Sequence, residues 1–152
     1  MMHHIKQKRI WLVSVVMLGV LGLFSGQIAA QEPVKAVVVT HGETAQADIQ
    51  KKDLKDIYLG RKTTWNDKTP IIFVVLKEGQ VHEDFLKDYV GKTPSQFTSY
   101  WKQQVFTGKG KMPKEFETEE KLMAYVAKTK GAIGYIGPKT EIKEVKKLTI
   151  KD

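Results

Sequence analysis

Cysteine is absent from all 152 residues. Its absence excludes disulfides, thiolate metal sites and a cysteine nucleophile, so an exported form of the chain must rely on an apolar core. Arginine is nearly as scarce, with Arg9 and Arg61 the only two. A planar guanidinium suits phosphate and nucleic-acid recognition, whereas lysine is a strongly hydrated point charge. Across the chain as a whole the basic residues are interspersed with Asp and Glu, so no nucleic-acid partner is expected. A G-x-S-x-G elbow, a Walker loop and a dinucleotide-binding glycine pattern are also missing. The covalent hydrolase and nucleotide-binding templates therefore fail, and neither a cofactor nor enzymatic activity is expected.

The one long hydrophobic run lies at the N-terminus. Lys6, Lys8 and Arg9 precede an uncharged stretch from Ile10 to Phe24, and small or polar residues follow to Ala30. That order predicts a secretory signal peptide over residues 1–30, cleaved after Ala30, and a periplasmic mature domain over 31–152. Ile28 stands where a small residue is commoner. An uncleaved membrane anchor is the alternative, since a span needs about 17 apolar residues. Removing the three leader cations from the 25 basic residues leaves 22 against 17 acidic ones, a mature charge of +5.

The mature segment reads as one α/β domain with a mostly parallel sheet. VKAVVVT (34–40) and IIFVVL (71–76) are β-branched runs of the kind covered on both faces. In KKDLKDIYLG, Leu54, Ile57 and Tyr58 share a helical face and Gly60 marks its end. QVHEDFLKDYVG puts Val81, Phe85 and Tyr89 on one face. TPSQFTSYWKQQVF carries a capping box from Thr93 to Gln96 with Pro94 at the first helical position; Phe97, Trp101 and Val105 recur along it. TEEKLMAYVAKTKG has Thr118 as its cap, acids in its first turn and lysines in its last. AIGYI and VKKLTI supply two further strands, and TGKGKMPKEF reads as a loop.

The candidate site is the junction VVLKEGQVHEDF. A strand ends at Leu76, Gly79 turns the chain, and a helix begins near Gln80. A helix start presents free N–H groups, and in parallel sheets ligands gather at strand carboxyl ends. A small anion is expected on the amides of Gly79, Gln80, Val81 and His82, with Lys77 and the Gln80 side-chain amide assisting. The competing reading is an ordinary strand-to-helix turn. Arg61 is a further candidate donor, or else a charge placed against a helix C-terminus. Lys109, Lys111 and Lys114 suggest an anionic or acidic contact, or a solvated loop. His41 and Glu43 form an isolated H-x-E, and no metal site is expected from such spacing.

Four stretches taken together, LKDIYLGRKTTWND, IIFVVLKEG, YWKQQVFTGKGKMP and YVAKTKGAIGYIG, resemble the phosphate-binding proteins of ABC transporters. The likeness is to their short single-domain relatives and covers roughly Val34 to Ile150. It implies a type 2 periplasmic-binding-protein fold, in which two lobes close on a ligand, and a phosphate-like oxyanion. Family members carry an arginine-led strand end and a Ser-Gly-Thr turn; here Leu76, Lys77, Glu78, Gly79, Gln80 and Val81 occupy that stretch. The arginine and both hydroxyls are missing, Glu78 opposes an anion, and the mature chain amounts to one lobe. Two further functions stay open: a ligand-free module docking on a membrane transporter, porin or sensor, and two copies of the lobe forming the two jaws.

Overall fold

The computed structural model describes residues 35–152; the expected leader lies outside them. The order is β1 (Val37–His41), β2 (Asp48–Gln50), α1 (Lys51–Tyr58), β3 (Ile72–Leu76), α2 (Gln80–Phe85), a π-helical turn (Leu86–Val90), α3 (Pro94–Phe106), β4 (Lys114–Phe116), α4 (Glu119–Lys128), β5 (Ala132–Ile136), β6 (Val145–Lys147) and β7 (Thr149–Lys151). Five strands form one sheet in the order β4-β3-β5-β1-β6, and β2 pairs with β7 in a small second sheet. β3 runs parallel to β4 and β5, and β2 parallel to β7. β1 is antiparallel to both its neighbours. Parallel pairings thus form the majority, with helices flanking the sheet.

Local chemistry accounts for the helices. Gln96 N–H donates to the Thr93 hydroxyl and Thr93 N–H to the Gln96 side chain, closing the capping box at the start of α3. Thr118 accepts from Lys121 N–H and caps α4 in the same way. Gly60 (φ +69°) ends α1 and Gly91 (φ +74°) ends the π-helical turn, both in the left-handed region that glycine occupies without penalty.

Strand β5 is buried at all five positions, and its central glycine has a packing reason. A Cβ on Gly134 would stand 2.6 Å from Leu122 Cδ2 and 3.2 Å from Val74 Cγ2. α4 can therefore lie against the sheet only where the strand carries no side chain. On the other face Tyr58, Phe85 and Tyr135 cluster, with Phe85 and Tyr135 stacked at 3.8 Å. Trp101 joins this cluster through Phe73 at 5.3 Å and donates its indole N–H to the Tyr58 carbonyl.

Four expectations change. VKKLTI is not one strand: β6 pairs with β1, Leu148 is buried between, and β7 joins β2. Residues 48–50, which carry no strand pattern in the sequence, pair as a strand with β7. TGKGKMPKEF ends in an edge strand, with Lys114, Glu115 and Phe116 opposite Val74, Val75 and Leu76. Val105, expected on the buried face of α3, is 43% exposed, because the core contact of that helix ends one turn earlier at Trp101.

Candidate functional site

The carboxyl ends of β3, β4 and β5 point the same way, because the three strands are mutually parallel. Each leads into a turn: Lys77–Gly79 before α2, Glu117–Thr118 before α4, and the segment after Ile136. Contacts bring these turns together. A Cβ on Gly137 would lie 3.2 Å from Val81 Cγ2 and 3.1 Å from Glu119 Oε1. Lys77 N–H donates to the Phe116 carbonyl at 2.9 Å, extending the β3–β4 ladder by one residue.

Gly79 has φ +105°, and nothing lies within 4 Å of where its Cβ would point. The first backbone bond of α2 runs from Glu83 N–H to the Gly79 carbonyl at 3.1 Å. The amides of Gln80, Val81 and His82 precede that bond and have no carbonyl partner within the helix. Lys77, Glu78, Gly79 and Gln80 are exposed. The turn is therefore open to solvent and is not an extension of the strand.

The expected side chains divide. Lys77 stands exposed at the mouth of the turn and, after Lys121, holds the Glu117 carboxyl below its ordinary range. One N–H of the Gln80 side-chain amide is engaged, Nε2 donating to Asp84 Oδ1 at 2.8 Å along its own helix. The His82 ring is buried, with Nδ1 2.5 Å from the Tyr135 hydroxyl. Leu76 N–H donates to that same oxygen at 3.2 Å. All three groups are satisfied when the Tyr135 hydroxyl donates to a neutral His82 Nδ1. Burial holds the His82 imidazole below its ordinary pKa, and burial likewise pushes the Tyr135 phenol well up. His82 thus braces the turn from beneath with its buried ring.

Arg61 is not at this end. It pairs with Asp56 at 3.6 Å past the last turn of α1, and its amide donates to the Asp56 carbonyl. The segment that follows is tied through Ile71 N–H to the Thr63 carbonyl and leads into the amino end of β3. The structure therefore separates Arg61 from Gly79 by the length of the strand. His41 Nδ1 accepts from the Glu43 amide in a local turn.

One arrangement had no sequence signal. A Glu119 carboxylate oxygen accepts the Gly137 amide at 2.8 Å and the Thr140 hydroxyl. The chain's own carboxylate thus occupies a strand-end amide beside the open turn. Eighteen residues separate Glu119 from Gly137, beyond any local periodicity. A groove of about 790 Å³ opens past Pro138, lined by Lys35, Lys51 and Lys147 and also by Asp88 and Asp152, so its charges largely offset.

A sheet whose parallel strands β3, β4 and β5 end together at an exposed helix start has the build of a solute-binding lobe. The family model described as "PBP superfamily domain" matches residues 33–151, and the chain belongs to that family. The fold is that of phosphate ABC transporter substrate-binding proteins. A Clostridium perfringens protein of that type, solved with bound phosphate, matches with 21% identity and a TM-score of 0.57 over 76% of this chain and 44% of its own. An ABC-type phosphate transport receptor from Vibrio cholerae matches with 16% identity and a TM-score of 0.52 over 76% and 45%. PstS from Borrelia burgdorferi gives 17% and 0.56 over 77% and 47%. The chain spans less than half the length of each. No curated protein matches the sequence.

Proposed function

We propose that the chain is a non-catalytic binding lobe that takes a small oxyanion, phosphate being the first candidate, at the β3–α2 turn. One observation carries this reading: the exposed Gly79 turn, with the amides of Gln80, Val81 and His82 ahead of the first helix bond and Lys77 at its mouth. The Glu119 carboxylate on Gly137 supports it, because it is an oxyanion already held by a backbone amide at this end of the sheet. The relative solved with bound phosphate adds weight by fold. Recognition is hydrogen bonding with no bond broken, and the site is half-open, which predicts a dissociation constant on the order of 1 mM.

Calorimetric titration with phosphate at low salt tests the reading. Heat saturating in the millimolar range is expected, with binding weakened at least about tenfold in Lys77→Glu, where attraction becomes repulsion. The Lys77 side chain is solvent-exposed, so the variant keeps its fold. Absence of heat at about 10 mM phosphate, where a site of this strength would be mostly filled, removes the oxyanion reading.

Export belongs to the same proposal. Its support is the charge step at Lys6, Lys8 and Arg9, the apolar run to Phe24 and the small residues ending at Ala30. Intact mass of the protein recovered from the periplasmic fraction is expected to correspond to a chain beginning at Gln31. A full-length mass there, or recovery only from cytoplasm, contradicts cleavage.

A further inference from the structure

Between Lys92 and Lys114 the chain carries five lysines and no Asp or Glu. Five lysines elsewhere pair with carboxylates: Lys52–Asp56, Lys62–Asp53, Lys121–Glu117, Lys143–Glu141 and Lys151–Asp48. No ion pair among the described residues uses Lys102, Lys109 or Lys111. Lys114 is engaged differently, its ammonium 4.3 Å from the centre of the Tyr125 ring. The same stretch holds Phe106 at 92% exposure, with Val105 at 43% and Met112 at 42%.

The fold gathers these residues. Gly108 N–H donates to the Val105 carbonyl and Lys109 N–H to that of Gln104, which turns the chain back at the end of α3. Gly110 then packs on Trp101 and Gln104, where a Cβ would come within 2.9 Å of the indole. A protruding aromatic ring, two partly covered aliphatic chains and three unpaired ammonium groups share one corner of the lobe.

We infer that this corner docks on an anionic lipid surface. Phe106 enters the headgroup region, Val105 and Met112 follow in part, and Lys102, Lys109 and Lys111 meet lipid phosphates. Among the described residues no helix is long and apolar enough to cross a membrane, so the contact lies on the bilayer. A symmetric contact between two copies would set these lysines against themselves, which like-charge repulsion opposes. An acidic protein meets the charge requirement, but a specific protein interface buries about 800 Å² per partner around an apolar centre. One ring flanked by two half-covered side chains supplies little of that, whereas a bilayer closes around it. The surface is independent of the oxyanion site.

Vesicle co-sedimentation at about 0.1 M salt tests the inference, with phosphatidylcholine alone against a phosphatidylcholine–phosphatidylglycerol mixture. Parent and variants are compared both as full chain and as residues 31–152, whose buried core from Ala36 to Leu148 lies wholly inside that segment. In each background the apolar run at 10–24 contributes equally or not at all. Binding is expected to require the anionic lipid. The combined variant Lys102→Gln, Lys109→Gln, Lys111→Gln should weaken it about 100-fold, since each lysine near an anionic surface is worth roughly a factor of five. Phe106→Ser should weaken it about tenfold, while Lys143→Gln leaves it unchanged. The patch substitutions fall at exposed positions, so thermal melts should match the parent. Equal binding to both vesicle types, or parent-like binding by the triple variant, overturns the inference. Retention on an immobilised acidic polypeptide without vesicle binding also overturns it and assigns the corner to a protein partner.

Discussion

Gly131→Ala is expected to destabilise the lobe by about 3 kcal/mol or more, combining the cost of a left-handed non-glycine residue with a backbone clash. Gly131 has φ +81°, and a Cβ there would stand 2.2 Å from the Pro70 carbonyl oxygen. That oxygen belongs to the backbone and cannot rotate aside. Two further bonds depend on the position. The Gly131 carbonyl accepts from the Trp65 indole at 3.0 Å and from Ile72 N–H at 3.1 Å. Moving Gly131 therefore loosens the loop over the amino ends of β3 and β5 together. Thermal unfolding followed by circular dichroism should show a fall of about 10 °C or more. Gly42→Ala is the matched control, because nothing lies within 4 Å of that Cβ. A Gly131→Ala melt within about 2 °C of the parent would mean that the loop yields freely.

Tyr135→Phe should cost about 3 kcal/mol, since it strands two buried polar groups at roughly 1–3 kcal/mol each. The groups are the Leu76 amide and His82 Nδ1, and both lie directly beneath the candidate turn. Buried His82 also sets a pH dependence. The folded pKa of His82 is depressed, first by burial, so above about pH 6.5, the usual histidine value, folded and unfolded states are both neutral there. Below that pH the unfolded chain takes up the proton first, and stability declines until the folded-state pKa is passed, by at most about 1.4 kcal/mol per pH unit. Urea unfolding of the parent between pH 8 and 5 should show this decline. A parent whose stability is constant from pH 7 to 5 would contradict a buried neutral His82. The carboxyls of half-buried Asp56 and exposed Asp67, held low by Lys52 and by the Thr69 amide respectively, lose their contribution only at more acid pH.

The helices were legible because their information is local. Thr93, Pro94 and Gln96 state the start of α3 within four residues, and the Leu54–Ile57–Tyr58 face of α1 needs only a 3.6-residue period. Buried strands β1, β3 and β5 announce themselves by continuous β-branched and apolar residues. β2, β4 and the division of VKKLTI into β6 and β7 were not legible. Three residues such as Lys114–Phe116 carry no period, and they become strand only because Val74, Val75 and Leu76 present unpaired backbone beside them.

The same division holds at the site. The sequence alone determined a single cysteine-free α/β lobe, the strand-to-helix turn at Gly79, and the glycine-punctuated strand at 131–137, since each follows from neighbours a few residues apart. Only the tertiary structure decided that Arg61 belongs to the far end of β3 and that His82 faces Tyr135. It alone also placed Glu119 on the Gly137 amide and unpaired lysines around Phe106. Those outcomes depend on which strand ends meet and which side chains share a surface. Such contacts are made across tens of residues by packing, and no local spacing encodes them.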